Sequence, residues 1–205
     1  METSSSSQDE YTPSATGAAA SVHKKRSQKS TCGCLLGGHC MGAPGFALRG
    51  AGESDIRYVE TVMEEHAREV NELLKRCFDQ VFWRIIESYV LTQEGVPCVL
   101  ALHQDTIVGV VTYSRETNSA GHECAYITFL GVDETFRRRR IGYTLLSTLI
   151  KTLTAAAVLE VSLHTQVYNI RSQKLYDGLG FVVTETVGGC YADGSDALRM
   201  TLRLL

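Results

Sequence analysis

The stretch Tyr126-Ile-Thr-Phe-Leu-Gly-Val132, followed after four residues by Arg137-Arg-Arg-Arg-Ile-Gly142, decides the fold of this chain. Its first part is rich in β-branched and aromatic residues and predicts a strand. Apolar residues then recur at helical spacing as far as Leu153, which predicts a helix over Ile141–Ala156. Such a junction is suited to binding phosphate, because the first N–H groups of a helix lack partners and its dipole favours negative charge.

The arginine run has two plainer interpretations, a solvated basic surface and a nuclear localisation patch. Its position argues against both, since it lies between two apolar elements rather than in a tail. We therefore favour a phosphate site, in which Gly142 lets the backbone approach the ligand closely. Coenzyme A carries a pyrophosphate and a 3′-phosphate, which suit the guanidinium groups and the free amides.

The rest of the chain from residue 56 alternates strand-like and helix-like segments. Residues 115–123 are polar and predict a loop. Asn169 can cap a helix that Gly180 ends. The order β-α-α-β-β-β-α-β-α-β-β predicts an α/β fold with a mixed central sheet flanked by helices. We predict strands over Ile56–Val62, Cys98–His103, Thr106–Ser114, Cys124–Val132, Val158–Thr165, Phe181–Val187 and Ala197–Leu204, and helices over Glu64–Phe78, Phe82–Leu91, Ile141–Ala156 and from Asn169 to Leu179.

Residues 1–55 differ in composition from the rest and predict a disordered, low-complexity tail, which leaves residues 56–205 as one domain. The basic cluster Lys24–Arg26 is most simply a solvated charge run. A second group combines three cysteines and a histidine, but its spacing is too tight for a usual zinc site, and we predict no metal. Its members are Cys32, Cys34, His39 and Cys40.

Overall composition bounds the possible functions. The chain has 205 residues and a formal net charge of −3, so bulk charge gives no reason to expect nucleic-acid binding. Its seven scattered cysteines, with no charged-then-apolar leader, predict reduced thiols in the cytoplasm, with the nucleus as a further location. No apolar stretch is long enough to predict a membrane span.

The junction resembles the phosphate-binding motif of the GNAT superfamily of acetyltransferases, Arg/Gln-x-x-Gly-x-Gly/Ala. This chain has Arg137-x-x-Arg140-x-Gly142, so Arg140 replaces the first glycine. The wider pattern, with Tyr126, Leu163-His164-x-Gln166 and Asn169, resembles the NatE and NatF type of N-terminal α-amino acetyltransferases. The resemblance implies the GNAT fold and acetyl-CoA as the acetyl donor. If the Arg140 position needs a positive φ, the arginine costs on the order of 1 kcal/mol there.

The resemblance also implies roles for individual residues. Tyr126 and His164 match the pair that deprotonates the substrate amine through a water molecule. Tyr176 matches a tyrosine near the thioester sulfur, and Asn169 matches an asparagine that contacts the pantetheine arm. The residues that we expect to contact acetyl-CoA are Leu130, Val132, Arg137, Arg138, Arg140, Gly142, Tyr143, Asn169, Ser172 and Tyr176.

These residue types suit the aminolysis of a thioester, although each has a structural interpretation when it is taken alone. A histidine titrates near pH 6.5 and can accept a proton near neutrality. An α-amine has a pKa of about 7.8 and a lysine of about 10.4, so a protein N-terminus is much easier to deprotonate. His164 on a polar strand face, Tyr126 in packing and Tyr176 in the core are the alternatives.

The peptide-binding segments match the family less well. Phe78, Phe82 and Tyr191 are our candidates for contact with the substrate. In NatE-type enzymes a Phe-Pro-Val run receives the first residue of the peptide, whereas here Asp79 follows Phe78. A preference for an initial methionine is therefore not predicted.

The sequence predicts an acetyl-CoA-dependent N-acetyltransferase that acts on protein N-termini by direct transfer in a ternary complex. Other subunits of an N-terminal acetyltransferase complex at the ribosome are candidate partners. Three alternatives remain: acetylation of lysine or a small amine, a partner-binding module with weak activity, and nucleic-acid binding through the arginine run.

Overall fold

The computed structural model describes residues 55–118, 120–191 and 193–204. The tail predicted for residues 1–55, apart from its last residue, lies outside these ranges. The predictions for Lys24–Arg26 and for the Cys32, Cys34, His39 and Cys40 group therefore concern residues that the structure does not describe.

The described residues form seven strands and four α-helices in the predicted order, with short 3-10 turns at Met63–His66, Gln80–Phe82 and Glu134–Phe136. The strands are β1 (Ile56–Val62), β2 (Pro97–His103), β3 (Thr106–Thr117), β4 (Glu123–Val132), β5 (Glu160–Gln166), β6 (Val182–Val187) and β7 (Ala197–Arg203). The helices are α1 (Ala67–Cys77), α2 (Trp83–Thr92), α3 (Ile141–Ala155) and α4 (Ile170–Asp177). Among the described residues, no helix is long and apolar enough to cross a membrane.

The strands form one mixed sheet in the order β1-β2-β3-β4-β5-β7-β6. Neighbouring strands are antiparallel except β4 and β5, which are parallel. Their pairing covers only Cys124 to Tyr126 on β4 and Glu160 to Ser162 on β5. Beyond these residues the two strands separate while β4 stays paired with β3, and this separation opens a cleft in the middle of the sheet.

A β-bulge lies in β4 just past the point of separation. The β3 residues Thr112 and Tyr113 pair with Phe129 and Ile127, so β4 has one extra residue, Thr128. Because a bulge shifts the alternation of side chains by one, Ile127 packs with the core on the α3 side and Phe129 with the core on the α1 and α2 side. The hydroxyl of Tyr89 on α2 donates a hydrogen bond to Thr128 Oγ1 at 3.0 Å.

Predicted and observed boundaries agree to within three residues throughout, and two of the differences have clear local reasons. The strand predicted to end at Ser114 runs to Thr117, where Arg115, Glu116 and Thr117 pair with β4. The β3 residues at this end are all polar, so no apolar alternation in β3 marks the pairing. The helix capped by Asn169 ends at Asp177 rather than Leu179, and the chain leaves it through Gly180 at φ +90°. The mixed α/β sheet predicted from the sequence is confirmed.

Candidate active site

A cavity of about 640 Å³ lies between the end of β4, the N-terminus of α3 and the first turns of α4. It begins where β4 and β5 have separated, so its walls belong to the arginine loop on one side and to α4 on the other. The lining residues are Val132, Phe136, Arg137, Arg138, Arg140, Ile141, Gly142, Tyr143, Gln166, Tyr168, Asn169, Ile170, Arg171, Lys174 and Leu175.

The cavity is strongly cationic. Three arginines come from the loop, Arg137, Arg138 and Arg140, while α4 contributes Arg171 and Lys174. None of the described lining residues is acidic. A polyphosphate that enters this space therefore meets positive charge from two elements and the amides at the start of a 15-residue helix.

Arg139 is the member of the run that does not line the cavity. Its guanidinium donates to the carbonyl of Thr135 at 3.3 Å and stacks over the ring of Phe136 at 4.9 Å. Arg137 is held differently, because its Nε donates to the carbonyl of Val132 at 3.1 Å while the residue still lines the cavity. Three of the four arginines thus contribute to the cavity and the fourth packs against the loop.

The backbone of the loop is left-handed at two arginines. Arg140, the N-cap of α3, has φ +60° and ψ 9°, and Arg138 has φ +65°. A position of this kind favours glycine because an L side chain there costs about 1–2 kcal/mol. The positive φ considered from the sequence is therefore present at Arg140. Its guanidinium lies over the ring of Tyr143 at 5.1 Å, which recovers part of the cost.

The role of Gly142 is to leave room on the cavity wall, and not to relieve backbone strain. A Cβ atom added there would lie 3.6 Å from Leu175 and 3.8 Å from Val132, which are ordinary contacts with two lining residues. A methyl group thus fits, and a larger side chain would extend into the cavity. The same turn carries the unpaired amides, since the first intrahelical acceptor of α3 is the carbonyl of Arg140, bonded to the N–H of Thr144.

Asn169 caps α4 as the sequence predicts. Its side-chain oxygen accepts a hydrogen bond from the N–H of Ser172 at 3.1 Å. The side chain of Asn169 lines the cavity, whereas Ser172 is fully buried beneath it. The cap therefore fixes the start of α4 against the cavity and places Arg171 and Lys174 on its wall.

Tyr126 and His164 meet across the cleft. Tyr126 is the last β4 residue paired with β5, and its hydroxyl lies 2.8 Å from Nδ1 of His164. Burial lowers the pKa of His164 below its ordinary value, and the charge of Arg199 lowers it further, while Glu185 acts in the opposite direction. The imidazole is therefore neutral at neutral pH, so this pair can accept a proton at the opening of the cleft.

Three predicted cofactor contacts lie behind the cavity wall. Leu130, Ser172 and Tyr176 are fully buried, and none of them is among the residues that line the cavity. Tyr176 packs edge-on against Phe181, with ring centroids 5.9 Å apart. Their predicted contacts with acetyl-CoA stay predictions, whereas the other predicted cofactor residues line the cavity.

The three predicted substrate residues belong to one aromatic cluster on the α1 and α2 side of the sheet. Phe82 packs edge-on against Tyr191 at 6.3 Å, and Phe78 packs against Phe129 at 5.8 Å. Tyr89 contacts the other edge of this group at 5.2 Å from Phe129. The α1–α2 connection and the β6–β7 hairpin thus meet through aromatic side chains.

Tyr168 and the two α4 cations are site residues that the sequence reasoning missed. The Tyr168 hydroxyl donates to a carboxylate oxygen of Asp193 at 3.1 Å and accepts a hydrogen bond from Gln166. Burial and the neighbouring Asp193 raise the pKa of the Tyr168 phenol. The spacing of Arg171 and Lys174, three residues apart behind a cap, places both on one helix face, and this signal was available in the sequence.

A parallel strand pair that separates into a cationic helix-capping loop, with a tyrosine–histidine pair at the opening, is the arrangement of an acyl-CoA-dependent acetyltransferase. The chain belongs to the acetyltransferase (GNAT) family, whose model matches residues 59–181. The GNAT fold and the N-acetyltransferase class predicted from the sequence are thereby confirmed.

Individual relatives carry narrower names. The chain is 28% identical over 171 residues to N-alpha-acetyltransferase 30 of Xenopus laevis, and the match covers 83% of this chain and 63% of that protein. It is 29% identical over 150 residues to N-alpha-acetyltransferase 30 of Dictyostelium discoideum, covering 73% of this chain and 80% of that protein. The structure of the NatC complex bound to Gag peptide and CoA contains a similar fold, with a TM-score of 0.62 at 19% identity over 74% of this chain and 99% of that chain.

These relatives refine the resemblance drawn from the sequence. Membership of the GNAT superfamily holds, but the relatives are named N-alpha-acetyltransferase 30 rather than the NatE or NatF type. The chain spans less than two thirds of the frog protein that it matches.

Proposed function

We propose that this chain transfers the acetyl group of acetyl-CoA to the α-amino group of protein N-termini, by direct attack in a ternary complex. The observation that carries the proposal is the Tyr126–His164 pair, 2.8 Å apart where β4 and β5 separate. The names of the relatives support the choice of an α-amine.

The cavity suits acetyl-CoA by its charge and by the room that it leaves at Gly142. Arg137, Arg138 and Arg140 would hold the pyrophosphate together with the amides of α3, and Arg171 and Lys174 extend the cationic wall. Gly142 keeps the wall open for the close approach of a ligand. Acetyl-CoA, when bound, supplies an activated thioester whose thiolate leaves as the amide forms.

The proton of the amine is accepted by the chain's own residues. In the reactive form Nδ1 of His164 is unprotonated and accepts a hydrogen bond from the Tyr126 hydroxyl. As the amine loses a proton through water to Tyr126 Oη, the phenol passes its own proton to Nδ1. The amine ends one proton poorer, the imidazole ends one richer, and Tyr126 is unchanged.

The low pKa of His164 limits which amines this pair can deprotonate. Since burial and Arg199 disfavour the imidazolium, the histidine is a weak base, present in its neutral form at neutral pH. An α-amine with a pKa of about 7.8 needs about 0.7 kcal/mol for deprotonation near neutrality, against about 4 kcal/mol for lysine. A weak base therefore favours the protein N-terminus over lysine.

A peptide comparison tests the proposal. Each peptide of a panel carries one internal lysine and either a free or a formylated α-amine, and mass spectrometry locates the acetyl group. We expect acetylation of the α-amine alone and no product from the blocked peptides. Equal turnover of blocked peptides would refute the proposal in favour of a lysine acetyltransferase.

Variants separate an enzyme from a partner-binding module. His164→Gln and Tyr126→Phe are expected to lower kcat by about 100-fold or more, because each removes a proton-transfer group, while acetyl-CoA binding measured by calorimetry is retained. His122→Gln is the matched control, since His122 is exposed in the β3–β4 loop. Tight acetyl-CoA binding without turnover of any peptide by the unaltered protein would point to the partner-binding module instead.

Partner subunits belong to this proposal as well. The similar NatC structure is that of a complex, and we propose that this chain also acts with other subunits. Exposed apolar side chains on the α2 side, Val81 and Leu91, are consistent with a covered surface. Action at the ribosome and a cytoplasmic or nuclear location stay predictions.

A further inference from the structure

His164 belongs to a row of ionisable residues that crosses three strands. On β5 it pairs directly with Arg199 of β7, and Arg199 pairs with Glu185 of β6. Paired residues of neighbouring strands project from the same face with their Cβ atoms about 5 Å apart. Arg199 Nη1 and Glu185 Oε2 are 4.0 Å apart, and Arg199 is the middle residue of the row.

Two residues of this row, Arg199 and Glu185, line an open groove that shares no lining residue with the acetyl-CoA cavity. The groove has a volume of about 610 Å³ and includes Arg199 and Glu185 in its lining, together with Thr184 and Thr201. The side chains of Arg199 and Glu185 are 42% and 58% exposed, so water reaches both of them. His164 thus has a buried partner on one side, Tyr126, and a hydrated ion pair on the other.

The charged groups that face His164 have opposite effects on the protonation of its imidazole. The Tyr126 hydroxyl on β4 is within hydrogen-bond distance of the imidazole, Arg199 on β7 is a cation, and Glu185 on β6 is an anion one strand further away. A cation beside an imidazole disfavours its protonated form, and a carboxylate favours that form. This agrees with the directions in which the two residues move the pKa of His164.

We propose that Arg199 and Glu185 are positioning residues that set the proton affinity of His164 from the two neighbouring strands. Arg199 adds to the effect of burial and so favours the neutral imidazole, the form that accepts the proton of the substrate amine. Glu185 weakens that effect by pairing with Arg199, so that the imidazole still takes up a proton and then releases it to water. The inference rests on the proposed role of His164 in the transfer to an N-terminus.

The pH dependence of kcat/KM tests the inference, because the two partners of one ion pair should shift it in opposite directions. The acid limb reports protonation of His164, since only its neutral form accepts a proton. Arg199→Met removes a group that lowers the pKa of His164, so the limb moves to higher pH. Glu185→Gln removes a group that raises this pKa, so the limb moves to lower pH.

Arg199→Lys is the matched control, because it keeps the positive charge and replaces the planar guanidinium with an ammonium group. Its acid limb should stay close to that of the unaltered protein even if its rate falls. A purely structural role of the ion pair would lower the rate of both charge-removing variants and leave both limbs in place. Shifts in the same direction, or none, would overturn the inference.

An NMR titration of the His164 imidazole gives a readout that needs no turnover. The resonance is assigned by its absence in His164→Gln, and its midpoint should move up in Arg199→Met and down in Glu185→Gln. Unmoved midpoints overturn this inference and leave the proposed function intact. Loss of the α-amine preference in the peptide comparison overturns the proposed function and leaves the titrations unchanged.

Discussion

Replacing Arg140 with glycine separates the conformational strain of this residue from its contribution to acetyl-CoA binding. Arg140 is the N-cap of α3 in a left-handed conformation, at the position where the GNAT motif has its first glycine. It also lines the cationic cavity and stacks on Tyr143. Arg140→Gly should therefore change the stability of the fold and the affinity for acetyl-CoA independently of each other.

The stability terms of Arg140→Gly nearly cancel. Relief of the left-handed backbone should stabilise the fold by about 1–2 kcal/mol. The greater freedom of glycine in the unfolded chain costs about 0.5–1 kcal/mol, and loss of an exposed cation–π contact with Tyr143 costs about 0.5 kcal/mol. The expected net change is below about 1 kcal/mol, a shift in Tm of at most about 4 °C.

The affinity of Arg140→Gly for acetyl-CoA should fall. Arg140 is exposed, so its bond with a phosphate contributes about 1 kcal/mol, or about fivefold in Kd. Calorimetry at low and high salt measures this, and the variant should show the weaker salt dependence because one cation is lost. Arg140→Lys keeps the charge and the strained backbone, and should stay close to the unaltered protein in both affinity and salt dependence.

One result would refute this reasoning about Arg140. If Arg140→Gly binds acetyl-CoA as tightly as the unaltered protein, with the same salt dependence, its guanidinium makes no contact with phosphate. A gain in affinity would mean that glycine gives the loop a better conformation for binding acetyl-CoA, and that Arg140 lowers the affinity.

The remaining predictions concern two other residues of the site. Gly142→Val should weaken acetyl-CoA binding at least tenfold in calorimetry, since a branched side chain extends into the cavity. Gly142→Ala fits at ordinary contact distances and should bind acetyl-CoA normally. Equal binding by both variants would show that the ligand does not approach this wall. Tyr176→Phe removes only a hydroxyl from a fully buried ring, so its folding should be intact. If Tyr176 protonates the leaving thiolate, this variant should lower kcat by about 100-fold with little change in KM, and an unchanged kcat would remove it from the mechanism.

Much of the fold follows from the sequence because local signals and tertiary structure agree. The helix after the arginine run, the Asn169 cap and the mixed central sheet all follow from period, cap chemistry and element order. The β-bulge at Thr128 does not follow in this way. An extra residue in a strand is visible only through the register of its partner, and the nearly continuous apolar run of β4 gives no local signal at Thr128.

The sequence predicted those site residues that lie together in one structural element. The loop arginines and Gly142 form a single local motif, and the structure places three of the four arginines on one cavity. Arg139 turns away because Phe136 and the carbonyl of Thr135 provide nearer partners, and side-chain direction within a basic run has no sequence signal. Tyr168 was missed for a related reason, since its partner Asp193 is distant in sequence.

The short pairing of β4 with β5 links the two halves of the proposed chemistry. Tyr126 holds His164 at the last paired position, and six residues further along the same strand Val132 leads to the arginine loop. The bulge at Thr128 lies between them and is fixed by the hydrogen bond from Tyr89. The distance from the proton acceptor to the anion site is therefore set by one strand, paired with β3 on its other side. A rigid strand of this kind can hold a thioester and a proton acceptor in register, because its hydrogen bonds to β3 prevent the two sites from moving independently.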